Sequence, residues 1–447
     1  MAPRIEAFPL ELLRMIFEVV PKQDLKSLRL MSREFNREAS TILFRRVYAS
    51  SHRKDLDVLS AIANHPTLSR CAREIVYVGV FFSREFTEQD YFEKEEFLKR
   101  RQYLDGLEEQ DEMINSGLDV DIIASALIKL PSIRKLIFSN HWCLESSNPP
   151  LMRDFPDRLM RPDGDIFCNM GHPTEPIHGH GFKVMCRALS ISGREVKELA
   201  MHYHSAKDNG GHEPDDPWNS GFYFDSLPQG AGEIERACNA FRGMRKIALS
   251  LTYTYDVLLP QLWKDRCAGL AKALSAAKKL RELTLNFNHD GGEDVYHADE
   301  FNELPLTAAL TAHPLPSLRT LKLRRKYMQQ EELIALLKPL CATLETLELA
   351  SIYLTNGSWR ETAMELHKLK WQKLKRLNFS DLRECRGWVY PEDHDVYEEE
   401  FINCLGVEDC IYRGNPSLIS EVSHDSIKEP DLDPTDDYCK GYEDKNN

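Results

Sequence analysis

A chain of 447 residues with 42% apolar and 29% charged residues has ordinary globular composition and is long enough for a sizeable core and more than one structural unit. Its net charge of −14 is uneven: Pro391 to Asn447 holds 17 acidic and 4 basic residues, so the rest is nearly neutral and shows no concentrated basic stripe of the kind nucleic-acid binding needs. No apolar run approaches the ~18 residues of a membrane span, and the 11 cysteines, scattered singly from Cys71 to Cys439 without a C-x-x-C pair, argue for reduced thiols in an intracellular protein.

Three short apolar segments open the chain. Phe8 to Val20 begins with Pro9, suited to a first helical turn, and stops at Pro21. Within it Leu12, Ile16 and Val19 follow one line of helical spacing and Leu13, Phe17 and Val20 another, a wider apolar surface than one buried stripe requires. Asp24 to Met31 offers Asp24 as N-cap with Leu25, Leu28 and Leu30 as apolar contacts, and the third segment is capped by Ser32 and carries Phe35, Ala39, Ile42 and Leu43. Some forty residues bury little surface alone, so these helices are expected to share their apolar faces with something else.

From about residue 70 an apolar-x-x-apolar-x-apolar phrase recurs: AREIVY from Ala72 as a weak copy, then IRKLIF from Ile133, VKELAM from Val196, MRKIAL from Met244, LRELTL from Leu280, LRTLKL from Leu318, LETLEL from Leu344 and LKRLNF from Leu374. The alternation at the end of each phrase predicts a short strand. The preceding stretches DVDIIASALIKL, QLWKDRCAGLAKALSAAKKL and QQEELIALLKPL predict helices. Helix-then-strand units repeated in series give a parallel sheet with helices on its outer side, since each unit buries its apolar face only against its neighbours.

Insertions after Phe138, Met201 and Leu285 are expected along one edge of that sheet, which makes the edge a candidate binding surface. Trp218, Phe222, Tyr223 and Phe224 are candidate anchors for a partner, with loop-sealing residues as the alternative. On the open sheet face, Lys135, Glu198, Lys246 and Glu282 alternate in sign, as either a structural ladder or a recognition surface would. Lys322, Arg324, Arg325, Lys326, Lys375 and Arg376 suggest a basic area, with Lys322 and Arg324 as candidate target contacts for an acidic segment. Cys168, His172, His178 and His180 lack a standard zinc spacing, His202, His204 and His212 are no better, and no nucleophile elbow, phosphate loop or dinucleotide fingerprint is present. Neither a metal nor a cofactor nor catalysis by this chain is expected. The tail lacks apolar periodicity and reads as largely disordered, with a last helix allowed over Val396 to Leu405.

The repeated phrase resembles the strand portion of a leucine-rich repeat over roughly residues 70 to 382. Corresponding positions lie 26 to 63 residues apart where regular repeats run ~20–29, and the closing asparagine is mostly missing. The opening segment resembles an F-box: Phe8-Pro9-Leu10-Glu11-Leu12-Leu13 stands at its Leu-Pro-x-Glu-Leu-Leu opening, Ile16-Phe17 at its next apolar pair, Met31-Ser32-Arg33 at its Val-Ser-Arg stretch and Leu43-Phe44 at its close. That resemblance implies a non-catalytic substrate receptor of an SCF (cullin-RING) ubiquitin ligase. Pro9, Leu12, Ile16, Leu25 and Leu28 would face a Skp-family adaptor, cullin and RING subunits would follow through it, and a repeat domain would hold an unnamed target protein. The expected organisation is α/β: an F-box over residues 1–48, an irregular repeat solenoid with a parallel sheet over 49–390 and an acidic tail over 391–447. The expected location is cytoplasm or nucleus, without membrane or nucleic-acid partners. A repeat scaffold acting without ubiquitylation is the alternative.

Overall fold

The computed structural model describes residues 8–79, 97–139, 180–201, 222–223, 226–253, 260–289, 305–389, 396–402, 404–413 and 421–422. Three helices come first, α1 (Leu10–Val19), α2 (Lys22–Leu28) and α3 (Arg33–Leu43). The Ser32 hydroxyl caps α3 by accepting from the Phe35 amide at 3.1 Å, as its residue type predicts. Asp24 does not cap α2, which starts two residues earlier behind Pro21 and places Asp24 in its first turn.

The strands follow: β1 (Arg46–Ala49), β2 (Glu74–Val78), β3 (Lys135–Ser139), β4 (Glu198–Met201), β5 (Phe222–Tyr223), β6 (Lys246–Tyr253), β7 (Glu282–His289), β8 (Thr320–Gln329), β9 (Thr346–Asn356), β10 (Arg376–Val389), β11 (Val396–Ile402) and β12 (Glu421–Val422). All but β5 lie side by side in chain order. Pairing is parallel from β1 to β10 and antiparallel from β10 through β11 to β12, while β5 pairs with the far half of β6.

Every recurring phrase is one strand, and the phrases pair in register: Ile75, Leu136, Leu199, Ile247, Leu283, Leu321, Leu347 and Leu377 form one file across the sheet. The first seven are buried and pack with the intervening helices into one continuous core. Strands of only four or five residues hold because each contributes a leucine or isoleucine to that core, worth ~1.5–3 kcal/mol on full burial. The helices Arg53–Asn64, Leu118–Lys129, His180–Ser192, Gly230–Phe241, Pro260–Ala276, Pro305–Ala312, Gln330–Leu337 and Trp359–Lys368 touch their neighbours in the same order. The sheet also has a member outside the eight phrases. Phe44-Arg45-Arg46-Val47-Tyr48-Ala49 obeys the pattern and forms β1, so the sheet starts before the expected boundary at residue 48.

The tail is not uniform. The expected helix over Val396 to Leu405 is instead strand β11 followed by a helix, Cys404–Arg413, that packs on Trp359–Lys368 and on β10.

The long strands β8, β9 and β10 contain a device of their own. Arg325, Ser351 and Asp381 adopt φ of 55°, 52° and 49°, and all three occupy one register position, between the pairs Arg324↔Ala350↔Ser380 and Lys326↔Ile352↔Leu382. A single left-handed residue in a strand inverts which parity of side chain faces the core. Leu321 and Leu323 point inward before the kink, and Lys326 and Met328 after it. The kink therefore drives a lysine into the place that the adjacent strands fill with Ile352 and Leu382. Lys326 is 1% exposed, and its Nζ lies 5.2 Å from the centre of the Phe287 ring with no hydrogen-bond partner among the described residues.

Candidate functional site

The three N-terminal helices have their own core, separate from that of the sheet: Leu13, Phe17, Leu25, Phe35 and Ala39. Phe17 meets Phe35 edge to face, with centroids 5.2 Å apart and ring planes at 84°. Behind them Glu38 is buried and accepts from Arg14 at 2.6 Å and Arg37 at 2.9 Å. Burial alone would raise the Glu38 carboxyl, but those two guanidinium groups outweigh it and hold it below the usual carboxylate range. This unit thus satisfies its polar groups and still leaves apolar side chains outside.

Those outside lie chiefly on one line of α1 and at the turn after α2. Leu12 is 46% exposed, Met15 65%, Val19 81%, Leu30 89% and Met31 63%. Leu12, Met15 and Val19 follow the i, i+3, i+7 spacing of one helix face. The two lines of apolar residues in the first segment face different ways, with Leu13 and Phe17 turned in, Leu12 and Val19 turned out, and Ile16 and Val20 half-buried between them. Of the five residues implied to face an adaptor, Pro9 and Leu12 are exposed and Ile16 and Leu28 are half-buried against the small core. Leu25 requires a correction: at 1% exposure it is part of the internal packing and has no surface to offer. Helical spacing could have revealed Met15, which lies between Leu12 and Val19.

On the open sheet face the alternating charges form a cross-strand ladder. Lys135, Glu198, Lys246 and Glu282 are register neighbours, and Lys246 pairs with Glu282 at 2.8 Å. The expected basic area is largely cancelled. Lys322 (2.8 Å) and Arg324 both bind Glu348, Lys375 binds Glu345 at 2.9 Å, and Lys326 is buried. Lys322 and Arg324, the candidate target contacts, are members of an ion-pair cluster on this face. Burial would raise the Glu348 carboxyl, but hydrogen bonds from Lys322 and Arg324, with their charges, hold it low. Glu348→Gln is expected to cost about 1–3 kcal/mol at pH 7, because it removes a charge-assisted acceptor from two cations. The wild-type advantage is present above the ordinary carboxyl value of 4.5 and is lost as pH falls through the lower folded value. Urea unfolding of both proteins at pH 7 and pH 3 checks the size and the sign.

Trp218 lies outside the described residues, as do Phe224, Cys168, His172, His178, His202, His204 and His212. Phe222 and Tyr223 form β5, against Leu251 and Thr252. His180 is bound to Asp119, Nε2 to Oδ2 at 2.5 Å. The same carboxylate oxygen accepts from Ser51 Oγ at 3.4 Å, and Ser51 shares a 2.8 Å hydrogen bond with the buried Tyr77 hydroxyl. A nucleophile relay requires serine bonded to histidine. Here both are bonded to the aspartate, an arrangement that ties β2 to the helices and that no sequence spacing announced.

The chain matches no protein-family model, and a search of curated proteins finds no match.

Proposed function

We propose that the N-terminal helical unit is an F-box that docks on a Skp-family adaptor and that the sheet-and-helix body, read as an irregular leucine-rich-repeat solenoid, presents a target protein to the assembled ligase. One observation carries this reading: α1 and the turn after α2 expose Leu12, Met15, Val19, Leu30 and Met31 although the helices already have a closed core. Apolar side chains grouped on one surface and not needed for internal packing mark an interaction site. The ordered series from Phe8-Pro9 to Leu43-Phe44 names the kind of partner.

The chain's own work is positional on this reading. Desolvation of Leu12, Met15 and Val19 against the adaptor supplies affinity at roughly 25 cal/mol per Å² of apolar surface, less the ordering cost of association. A target held by the body then stays at high effective concentration near the ubiquitin-charged enzyme, which supplies the chemistry. Reconstitution with adaptor, cullin and RING subunits tests the whole reading: proteins captured by the body should acquire ubiquitin in the presence of this chain only. Adaptor binding without ubiquitin transfer would favour the scaffold alternative.

A further inference from the structure

The residue immediately before each of the consecutive parallel strands β1 to β4 and β6 to β10 is Arg45, Arg73, Arg134, Lys197, Arg245, Arg281, Arg319, Glu345 and Lys375 in order. Backbone hydrogen bonds link them into one file. The amide of Arg73 donates to the carbonyl of Arg45 at 2.8 Å, Arg134 to Arg73 at 2.8 Å, Lys197 to Arg134 at 2.9 Å, Arg245 to Lys197 at 2.7 Å, Arg281 to Arg245 at 2.8 Å and Arg319 to Arg281 at 2.8 Å. Seven consecutive places on the N-terminal edge of the sheet are thus basic, about 4.8 Å from strand to strand and about 29 Å end to end. All seven side chains are exposed. Arg319 pairs with Glu345 at 3.2 Å; among the described residues no side-chain hydrogen bond or ion pair engages the other six.

Fold stability does not account for this file. Like charges on neighbouring strands repel, and the very next register position solves that problem by alternating Lys135, Glu198, Lys246 and Glu282. One residue earlier the alternation is absent, and the sign stays positive over seven strands. No basic stripe is visible along the sequence because the members lie 28 to 63 residues apart. The sheet assembles it.

We propose that this edge binds an extended acidic polypeptide segment laid across the strands. The file is linear and open, and guanidinium groups take carboxylates in paired hydrogen bonds. A nucleic-acid strand is the poorer fit, since the file contains no aromatic side chain on which a base would stack. The inference is independent of adaptor docking, which uses α1 and the turn after α2.

Fluorescence anisotropy of the full chain with a labelled ten-residue oligoglutamate, beside a ten-nucleotide oligothymidine, tests it. Arg134→Glu/Arg245→Glu reverses two exposed members at the centre of the file, and Lys54→Glu/Lys272→Glu makes the same charge change at exposed positions outside it. Oligoglutamate should bind the wild-type chain in a salt-sensitive manner, with a loss of at least about tenfold in the first variant and less than about twofold in the second. No binding, equal losses in the two variants, or tighter binding of the oligonucleotide would each overturn the proposal. So would a gain in oligoglutamate affinity on removing residues 423–447, which would make the chain's own acidic tail the occupant.

Discussion

Lys326→Met is expected to make the protein more stable, by about 1–3 kcal/mol at pH 7, because a well-packed apolar side chain replaces a buried ammonium that no hydrogen bond satisfies among the described residues. Burial drives the Lys326 ammonium from its ordinary 10.5 down to about 8, and the charges of Glu332 and Cys267 offset only part of this. The folded protein therefore releases that proton near pH 8 and the unfolded chain near 10.5. Between those values the unfolded chain binds more protons, so the wild type gains stability as pH rises. Below pH 8 both states are charged and the full cost is present. Above about pH 9 the buried thiols act in the opposite sense: Cys267 ionises at 9.0 in the ordinary state but is pushed up to about 12 by burial, which favours unfolding. The diagnostic quantity is thus the difference between variant and wild type, which should shrink as pH passes from 8 to 10. Urea midpoints measured across that range give it directly; a variant no more stable than wild type at pH 7 would mean that Lys326 has a partner in solution.

Phe17→Ala is expected to cost about 3–5 kcal/mol, the usual effect of emptying a buried phenylalanine site. Phe17 is 1% exposed, and its ring is one of two aromatic groups in a core of only five fully buried apolar residues. So small a core has little stability to spare. The loss should therefore appear as local unfolding of residues 10–43 while the separate core of the sheet persists. Hydrogen exchange should show α1 to α3 unprotected and β6 to β9 unchanged. Leu12→Ala, at a half-exposed position on the same helix, should leave protection in both regions intact.

Much of the fold was legible because its signal is local and periodic. An apolar-x-x-apolar-x-apolar phrase specifies which face of a strand turns inward, and in a parallel sheet with consecutive order the phrases have only one mutual register that buries all of them. The kink at Arg325, Ser351 and Asp381 left no such trace, since none is a glycine and each lies among residues that continue the strand. For that reason Lys326 reads as a surface cation in sequence and is a core residue in the fold. Leu25 shows the same limit on a smaller scale. Its apolar character was evident, but whether it faced inward or outward depended on how α2 sits against α1 and α3, which spacing along a single seven-residue helix does not determine. The basic file is the reverse case: each member stands second in its phrase, in plain view, but only strand pairing makes them neighbours.

If the outward face of the N-terminal helices docks on an adaptor, as proposed, equilibrium binding of the full chain to a purified Skp-family adaptor must depend on that face. Leu12→Asp/Met15→Asp changes two side chains that are 46% and 65% exposed, so the small core is left intact, and Ile191→Asp alters an equally exposed apolar residue elsewhere. The wild-type chain and Ile191→Asp should bind the adaptor alike, and Leu12→Asp/Met15→Asp should lose at least about a hundredfold in affinity, as expected for charges placed in a desolvated apolar contact. Failure of the wild-type chain to bind, or equal affinity of all three proteins, would rule out adaptor docking through this face.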